Sequence, residues 1–130
     1  MKIPLLGKNG QVGRALTRCL SDHSLIAPNS TACSLLNPTA LRDTVRLARP
    51  DLVINAAAYT NVDGAETDQQ TCFAVNSEAP ETLAEEANRC GALLVRYSSD
   101  YVFDGLKDGA YTEHDTPSPL SVYGESKAHP

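Results

Sequence analysis

Tyr123 and Lys127 stand four positions apart in the stretch "VYGESKAHP". That spacing puts both side chains on one face of a helix. A phenol beside an ammonium can deliver a proton while a cation holds the charge left behind. Taken alone, the pair is equally two solvated residues on a surface helix. Upstream, "RYSSDYVFDG" places hydroxyls at what reads as the carboxyl end of a strand, where open α/β sheets bind their ligands. Near the amino terminus, "GKNGQVG" sets Gly7, Gly10 and Gly13 between a short apolar run and a helical pattern. In a dinucleotide-binding turn the first glycine permits the bend. The second lets backbone approach a pyrophosphate, and the third lets the helix pack against the strand. The amides at the helix N-terminus then face the phosphates.

These residues need a frame, and the chain alternates in the way that supplies one. "KIPLLG" reads as a strand. "GQVGRALTRCL" follows with helical spacing, Val12, Ala15, Leu16, Cys19 and Leu20 sharing a face. "SLIA" is a second short strand. "NPTALRDTVRLARP" has Asn37 as N-cap, Pro38 at the first helical position and Pro50 beyond the end. Its apolar positions Leu41, Val45 and Ala48 repeat at helical intervals. "DLVINAAA" is a continuous apolar strand suited to a buried parallel position. "SEAPETLAEEANRCG" reads as a helix capped by Ser77 and closed by Gly91. "ALLVRYSS" is the fourth strand, a polar loop runs from Asp104 to about Pro119, and a last helix begins near Ser121. Alternating strands and helices imply an α/β fold: a doubly wound, Rossmann-like parallel sheet covered on both faces. Pro4 conflicts with a central first strand, because it removes a ladder hydrogen bond, and the strand is expected to be frayed or weakened there.

Composition narrows the function classes. The chain has 130 residues, 42% of them hydrophobic, and a net charge of -5. That is one domain or part of one. Its scattered Lys and Arg give no footprint for nucleic acid. No apolar run approaches the length needed to cross a bilayer. The four cysteines, Cys19, Cys33, Cys72 and Cys90, form no CxxC pair and have no histidine at zinc spacing. They read as reduced, mostly buried thiols of a cytoplasmic protein. His23, His114 and His129 are isolated, and no cluster of metal ligands is present in the sequence. The acid that usually follows the second strand and binds the ribose hydroxyls is missing; Pro28 or Asn29 stands there. The cofactor reading therefore leans to NADPH over NADH, with Lys8 in the glycine turn available to a 2′-phosphate.

The stretches "LLGKNGQVG", "RPDLVINAAAYTNVDGAE", "VNSEAPETLAEEANRCGALLVRYSSDYVFDG" and "EHDTPSPLSVYGESK" carry a resemblance along essentially the whole chain. It resembles the extended short-chain dehydrogenases/reductases and, among them, the dTDP-4-dehydrorhamnose reductase family. The resemblance implies reduction of a 4-keto nucleotide-sugar by NAD(P)H. Tyr123 would protonate the sugar C4 oxygen, and Lys127 would hold the ribose and stabilise the charge left on Tyr123. Ser99, where the family more often has threonine, would hydrogen-bond the tyrosine or the substrate carbonyl, and Asp100 would touch the sugar. Gly10, Gln11 and Val12 would face the pyrophosphate, with Gly7 and Gly13 completing the cofactor-binding turn. Asn29, Ser34 and Leu35 would lie near the adenosine, and Ala58, Tyr59, Thr60 and Tyr97 on the nicotinamide side. Asn29 and Ser34 stand where the family commonly has aspartates, and Arg96 stands where a histidine or another residue is more usual.

Family members continue for more than a further hundred residues, so the resemblance implies an N-terminal cofactor-binding part without its substrate domain. Such a part is expected to turn over weakly or not at all. It also implies a homodimer for the full-length form. Pro130 cannot comfortably extend a helix, so the last helix is expected to have about two turns. Two other readings stay open on the residues: a non-catalytic NAD(P)-binding regulatory protein, and another extended reductase or epimerase of nucleotide-sugars.

Overall fold

The computed structural model describes residues 1–129. Four strands form one parallel sheet: β1 (Lys2–Leu6), β2 (Ser24–Ile26), β3 (Leu52–Asn55) and β4 (Leu93–Arg96), in the spatial order β2-β1-β3-β4. Side chains alternate across β1 and β3. Leu6 and Val53 point to one face, with Leu41 and Val45 of α2 (Pro38–Ala48) and Leu83 and Ala87 of α5 (Ala79–Cys90). Ile3, Leu5 and Ile54 point to the other, where Leu16 and Leu20 from the region of α1 (Gln11–Cys19) cover them. The sheet is therefore wound on both sides, as the alternation implies. Fully burying one such Leu is worth roughly 2 kcal/mol.

Pro4 lies inside the central strand β1 and is fully buried. The carbonyls of Lys2 and Leu6 accept from Asp51 and Ala56, so even-numbered positions of β1 face β3. Pro4 has no N–H to give there, and the paired register with β3 comprises Leu5↔Ile54 and Leu6↔Asn55. The register with β2 still runs from Lys2 to Pro4. The weakening falls on one ladder and the strand survives it.

Helix α2 is capped as its sequence implies: the Asn37 side chain accepts the Ala40 N–H at 3.1 Å, and Leu41, Val45 and Ala48 are its buried residues. Two expectations are corrected. On α1, Val12, Ala15 and Cys19 are exposed and Gly13 is the buried residue, because the helix seats on its glycine and on Leu16. Ser77 caps nothing. It is buried inside a π-helical turn, Ala74–Glu78, that joins α4 (Gln69–Phe73) directly to α5. The short α3 (Val62–Ala65) and α4 have no counterpart in the sequence reading, which began the helix at Ser77. The cysteines also divide: Cys33 and Cys72 are buried, Cys19 and Cys90 exposed.

One ion cluster fastens α2 to α5. Glu86, 2% exposed, accepts from Arg46 at 2.7 and 2.8 Å, from Arg89 at 3.1 Å and from Arg42 at 3.5 Å. The hydrogen bonds from Arg46 hold the Glu86 carboxyl below the usual carboxylate range against the opposing effect of burial.

Past β4, Ser99 opens a 3₁₀ turn (Asp100–Val102), and the loop from Asp104 leads to α6 (Val122–Ala128). The Ser121 hydroxyl caps α6 by accepting the Gly124 N–H at 3.0 Å. The helix has seven residues, about the expected length; Pro130 lies outside the described residues.

Candidate functional site

The glycine turn has the geometry that its spacing implies. Gly7 adopts φ +81°, and a Cβ there would come within 2.6 Å of the Ala57 backbone nitrogen. A Cβ on Gly13 would sit 2.0 Å from the Gly7 carbonyl oxygen, so only glycine lets α1 seat on the turn. The Cβ position of Gly10 meets only the Gly7 carbonyl, at 3.5 Å, and otherwise faces open space.

Two cavities meet at this turn, sharing Gly7, Gly10 and Ala57. One, of about 360 Å³, is lined by Asn29, Ser34 and Leu35 along with Lys8, Pro28 and Cys33. The other, of about 580 Å³, is lined by Gln11, Val12, Ala58 and Thr60. The structure thus gathers ten of the expected cofactor residues, Gly13 packing beneath, into one trough over the carboxyl ends of β1 and β3. Asn29 and Ser34 also shape the wall: Asn29 Oδ1 accepts the Ala32 N–H at 2.8 Å, and Ser34 Oγ accepts the Leu36 N–H at 3.2 Å. The trough suits an extended anion with an apolar base, being floored by glycine backbone and walled by small and aliphatic side chains.

The second group of residues gathers around α6. Tyr123 and Lys127 are both about nine-tenths buried. The Lys127 ammonium donates to the Tyr97 carbonyl at 2.8 Å. Its burial first, and then the Arg96 cation, hold the Lys127 amine below the usual lysine range. Tyr101 packs its ring edge against Tyr123, centroids 5.5 Å apart. That approach depends on Gly124, whose Cβ would fall 2.3 Å from the Tyr101 carbonyl oxygen. Ser99 Oγ donates to Asp100 Oδ1 at 3.3 Å and accepts the Tyr101 N–H at 3.2 Å. Among the described residues, no hydrogen bond joins the side chains of Ser99, Tyr123 and Lys127 to one another.

Asn76, in the π-helical turn, joins the two groups. Its amide takes both backbone groups of Tyr59, in the loop after β3, and donates to Ser126 Oγ at 3.0 Å. Ser126, fully buried, passes its own proton to the Tyr123 carbonyl at 2.7 Å. The Tyr59 ring does not line the trough. It packs with Ala65, Cys72, Val122 and Tyr123, and burial, with Asp68 next, pushes its phenol up. Sequence reasoning missed Asn76, Ser126, Tyr101 and Gly124. The only signal was the glycine directly after Tyr123; the rest is tertiary contact.

A parallel sheet wound on both faces, with a glycine turn and a trough over the carboxyl ends of its strands, defines a Rossmann-like nucleotide-binding fold. The chain belongs to the family described as the RmlD substrate binding domain, whose model matches residues 1–129. It is 46% identical over 128 residues to a dTDP-4-dehydrorhamnose reductase of Burkholderia thailandensis, covering 98% of this chain and 43% of that protein. A solved dTDP-4-dehydrorhamnose reductase of Clostridium acetobutylicum superposes with a TM-score of 0.93 at 36% identity, over 98% of this chain and 46% of that one. The Bacillus anthracis reductase, solved in complex with NADP, gives 0.92 at 31% identity, over 97% and 46%. The chain therefore spans less than half the length of these relatives.

Proposed function

We propose that this chain is the cofactor-binding part of an NAD(P)H-dependent reductase that converts dTDP-4-dehydro-L-rhamnose to dTDP-L-rhamnose, a precursor of cell-surface polysaccharide. The observation that carries the reading is the placing of Lys127. Its buried ammonium is fixed on the Tyr97 carbonyl, one helical turn from Tyr123 and at the carboxyl end of the strand that leads to Ser99. Relatives bearing the reductase name support the substrate, and the relative solved with NADP supports the cofactor.

The trough fits a dinucleotide. Gly7 and Gly10 would let the pyrophosphate approach the backbone, with the amides of Gln11 and Val12 near it. Asn29, Ser34 and Leu35 would hold the adenosine side, where no carboxylate opposes a 2′-phosphate; NADPH is preferred on that ground. Ala58, Thr60, Tyr97 and the backbone of Tyr59 would line the nicotinamide side. The bound nicotinamide would supply hydride to the sugar C4. Tyr123 would pass its phenolic proton to the C4 oxygen, so that the carbonyl gains one hydride and one proton and becomes an alcohol. One donor of the Lys127 ammonium is held by Tyr97. The two that remain would serve the ribose hydroxyls and the phenolate left by proton transfer. Ser99 would exchange its bond to Asp100 for one to the C4 oxygen, leaving Asp100 to the sugar. Asn76 and Ser126 would hold the two halves of the site in register.

The cytoplasm is the proposed compartment, supported by four free cysteines. No helix among the described residues is long and apolar enough to cross a membrane.

The test is calorimetric titration of the purified chain with NADPH and NADH, followed by turnover on dTDP-4-dehydrorhamnose beside Tyr123→Phe. Micromolar NADPH binding is expected, with tighter binding than NADH. Any turnover should disappear in Tyr123→Phe while NADPH binding remains. A folded chain that binds neither cofactor overturns the proposal.

A further inference from the structure

Two consecutive residues of β4 and its continuation grip Lys127 from both ends. Tyr97 takes the side-chain ammonium through its carbonyl at 2.8 Å. Arg96 takes the main chain: its Nη2 donates to the Lys127 carbonyl at 2.9 Å, and its Nη1 to the His129 carbonyl at 3.3 Å. The last carbonyls of a helix have no partner within the helix and carry its negative end. A guanidinium suits them because its planar fork reaches two carbonyls at once and never loses its charge. The opposite end of α6 is held in the complementary sense, where Glu66 Oε1 accepts the Val122 N–H at 3.0 Å. A short helix that cannot persist alone is thus clamped by an anion at its start and a cation at its finish, each from another element.

We propose that Arg96 is a positioning residue for the Tyr123–Lys127 pair: it fastens the end of α6 to the edge strand and sets a fixed positive charge behind the Lys127 ammonium. A histidine at this position, with two nitrogens and a variable charge, could do neither job as fully. The titratable groups on the elements packed around α6 are Arg96 from β4, Cys72 from α4, Tyr59 in the loop after β3, Asp63 on α3 and Glu66 after it, Glu78 in the π-helical turn, and Asp100 and Tyr101 from the 3₁₀ turn, with Tyr123 and Glu125 on the helix itself and His129 at its end. Of these, Arg96 is the one that lowers the lysine, after burial, and Cys72 acts weakly in the opposite sense. The consequence for cofactor binding rests on the reductase reading; the effect on Lys127 does not.

The two effects separate in one experiment. Lysine side chains are labelled with carbon-13 and titrated by NMR in the wild-type chain and in Arg96→Gln, Arg96→Met and Arg96→Lys. The Lys127 resonance is assigned by its loss in Lys127→Arg, and NADPH affinity is measured on the same samples. Arg96→Gln keeps hydrogen-bond donors and removes the charge, and its Lys127 midpoint should move to higher pH. Arg96→Met should do the same, with NADPH binding weakened at least tenfold, the worth of one charge-assisted hydrogen bond. Arg96→Lys should restore the wild-type midpoint with the two-carbonyl cap only partly rebuilt. A Lys127 midpoint in Arg96→Gln that stays at the wild-type value overturns the proposal, because a purely structural arginine would leave it there. If Arg96→Met does not fold, Arg96→Gln against Arg96→Lys still decides. A wild-type chain that binds no NADPH but shows the Lys127 shift supports the positioning role and sinks the reductase reading instead.

Discussion

The side-chain amide of Asn76 takes both the N–H and the C=O of Tyr59, at 2.9 and 3.0 Å. An amide is the one side chain that offers a donor and an acceptor in that fixed geometry. Its remaining donor goes to Ser126, so the loop after β3 and the helix α6 are fixed by one residue. Asn76→Ala leaves the Tyr59 N–H and C=O without their partner and takes one donor from Ser126, which keeps its bonds to the Tyr123 carbonyl and Cys72, and should cost about 2 to 3 kcal/mol. Urea unfolding would check this. Asn76→Asp keeps the acceptor but sets a buried carboxylate against the Tyr59 carbonyl, so it should cost at least as much as Asn76→Ala. Equal stability of Asn76→Ala and wild type would show that the loop is held by other means.

The glycine turn gives a pair of substitutions with opposite outcomes. A methyl on Gly13 would meet the Gly7 carbonyl oxygen at 2.0 Å, an overlap that must push α1 off the turn. Gly13→Ala should destabilise the chain by about 3 kcal/mol and abolish cofactor binding with it. A methyl on Gly10 meets only that oxygen, at an ordinary 3.5 Å. Gly10→Ala should therefore fold like wild type, yet bind NADPH at least tenfold more weakly, because the methyl stands where the pyrophosphate would approach the backbone. Thermal melts and calorimetry on the two variants separate these outcomes. A Gly10→Ala protein that binds like wild type would move the phosphates elsewhere.

These two cases mark what the sequence makes legible. Glycine at 7 and 13 announces its own reason, since a positive φ and a helix that must touch a turn are local demands. The capping of α2 by Asn37 is equally local, and so is the start of α6 at Ser121. Asn76 announces nothing. Its partners Tyr59 and Ser126 lie 17 and 50 residues away, and neither spacing carries a periodic signal. The helix run through α4 and the π-helical turn was missed for a related reason. Pro80 and the acids near it imitate a helix start, and the buried Ser77 imitates a cap, but tertiary packing carries the helix through them. The exposed Val12, Ala15 and Cys19 show the converse error, where periodicity implies a buried face and a glycine supplies the contact.

Glu86 predicts the response to acid. Its carboxyl titrates below the usual range because Arg46 hydrogen-bonds the charged form, with Arg89 and Arg42 adding attraction. The folded pKa lies below the unfolded one, so the unfolded chain takes up the proton first. The contribution of Glu86 is therefore fully present above the ordinary glutamate range. It is lost as pH falls through the depressed folded value. Melting temperature against pH should fall on the acid side in wild type, and Glu86→Gln should start lower at neutral pH and fall less steeply. Parallel curves for the two proteins would mean that the α2–α5 cluster contributes nothing to the pH dependence.

The edge strand predicts how the chain behaves at high concentration. In β4, Leu94 packs against the core shared with α2 and α5, while Leu93 and Val95 point the other way and are 73% and 39% exposed. Among the described residues, β4 has a partner on one side only, β3. An edge strand with apolar residues on an open face invites pairing with a second chain, and lysine on such an edge opposes it. The double variant Leu93→Lys, Val95→Thr should leave stability within about 0.5 kcal/mol of wild type and reduce concentration-dependent association in sedimentation velocity. Leu94→Lys, one position along, should unfold the chain, because it carries a charge into the core rather than out of it. If the double variant associates as strongly as wild type, the contact between chains lies on another surface and the exposed face of β4 is inert.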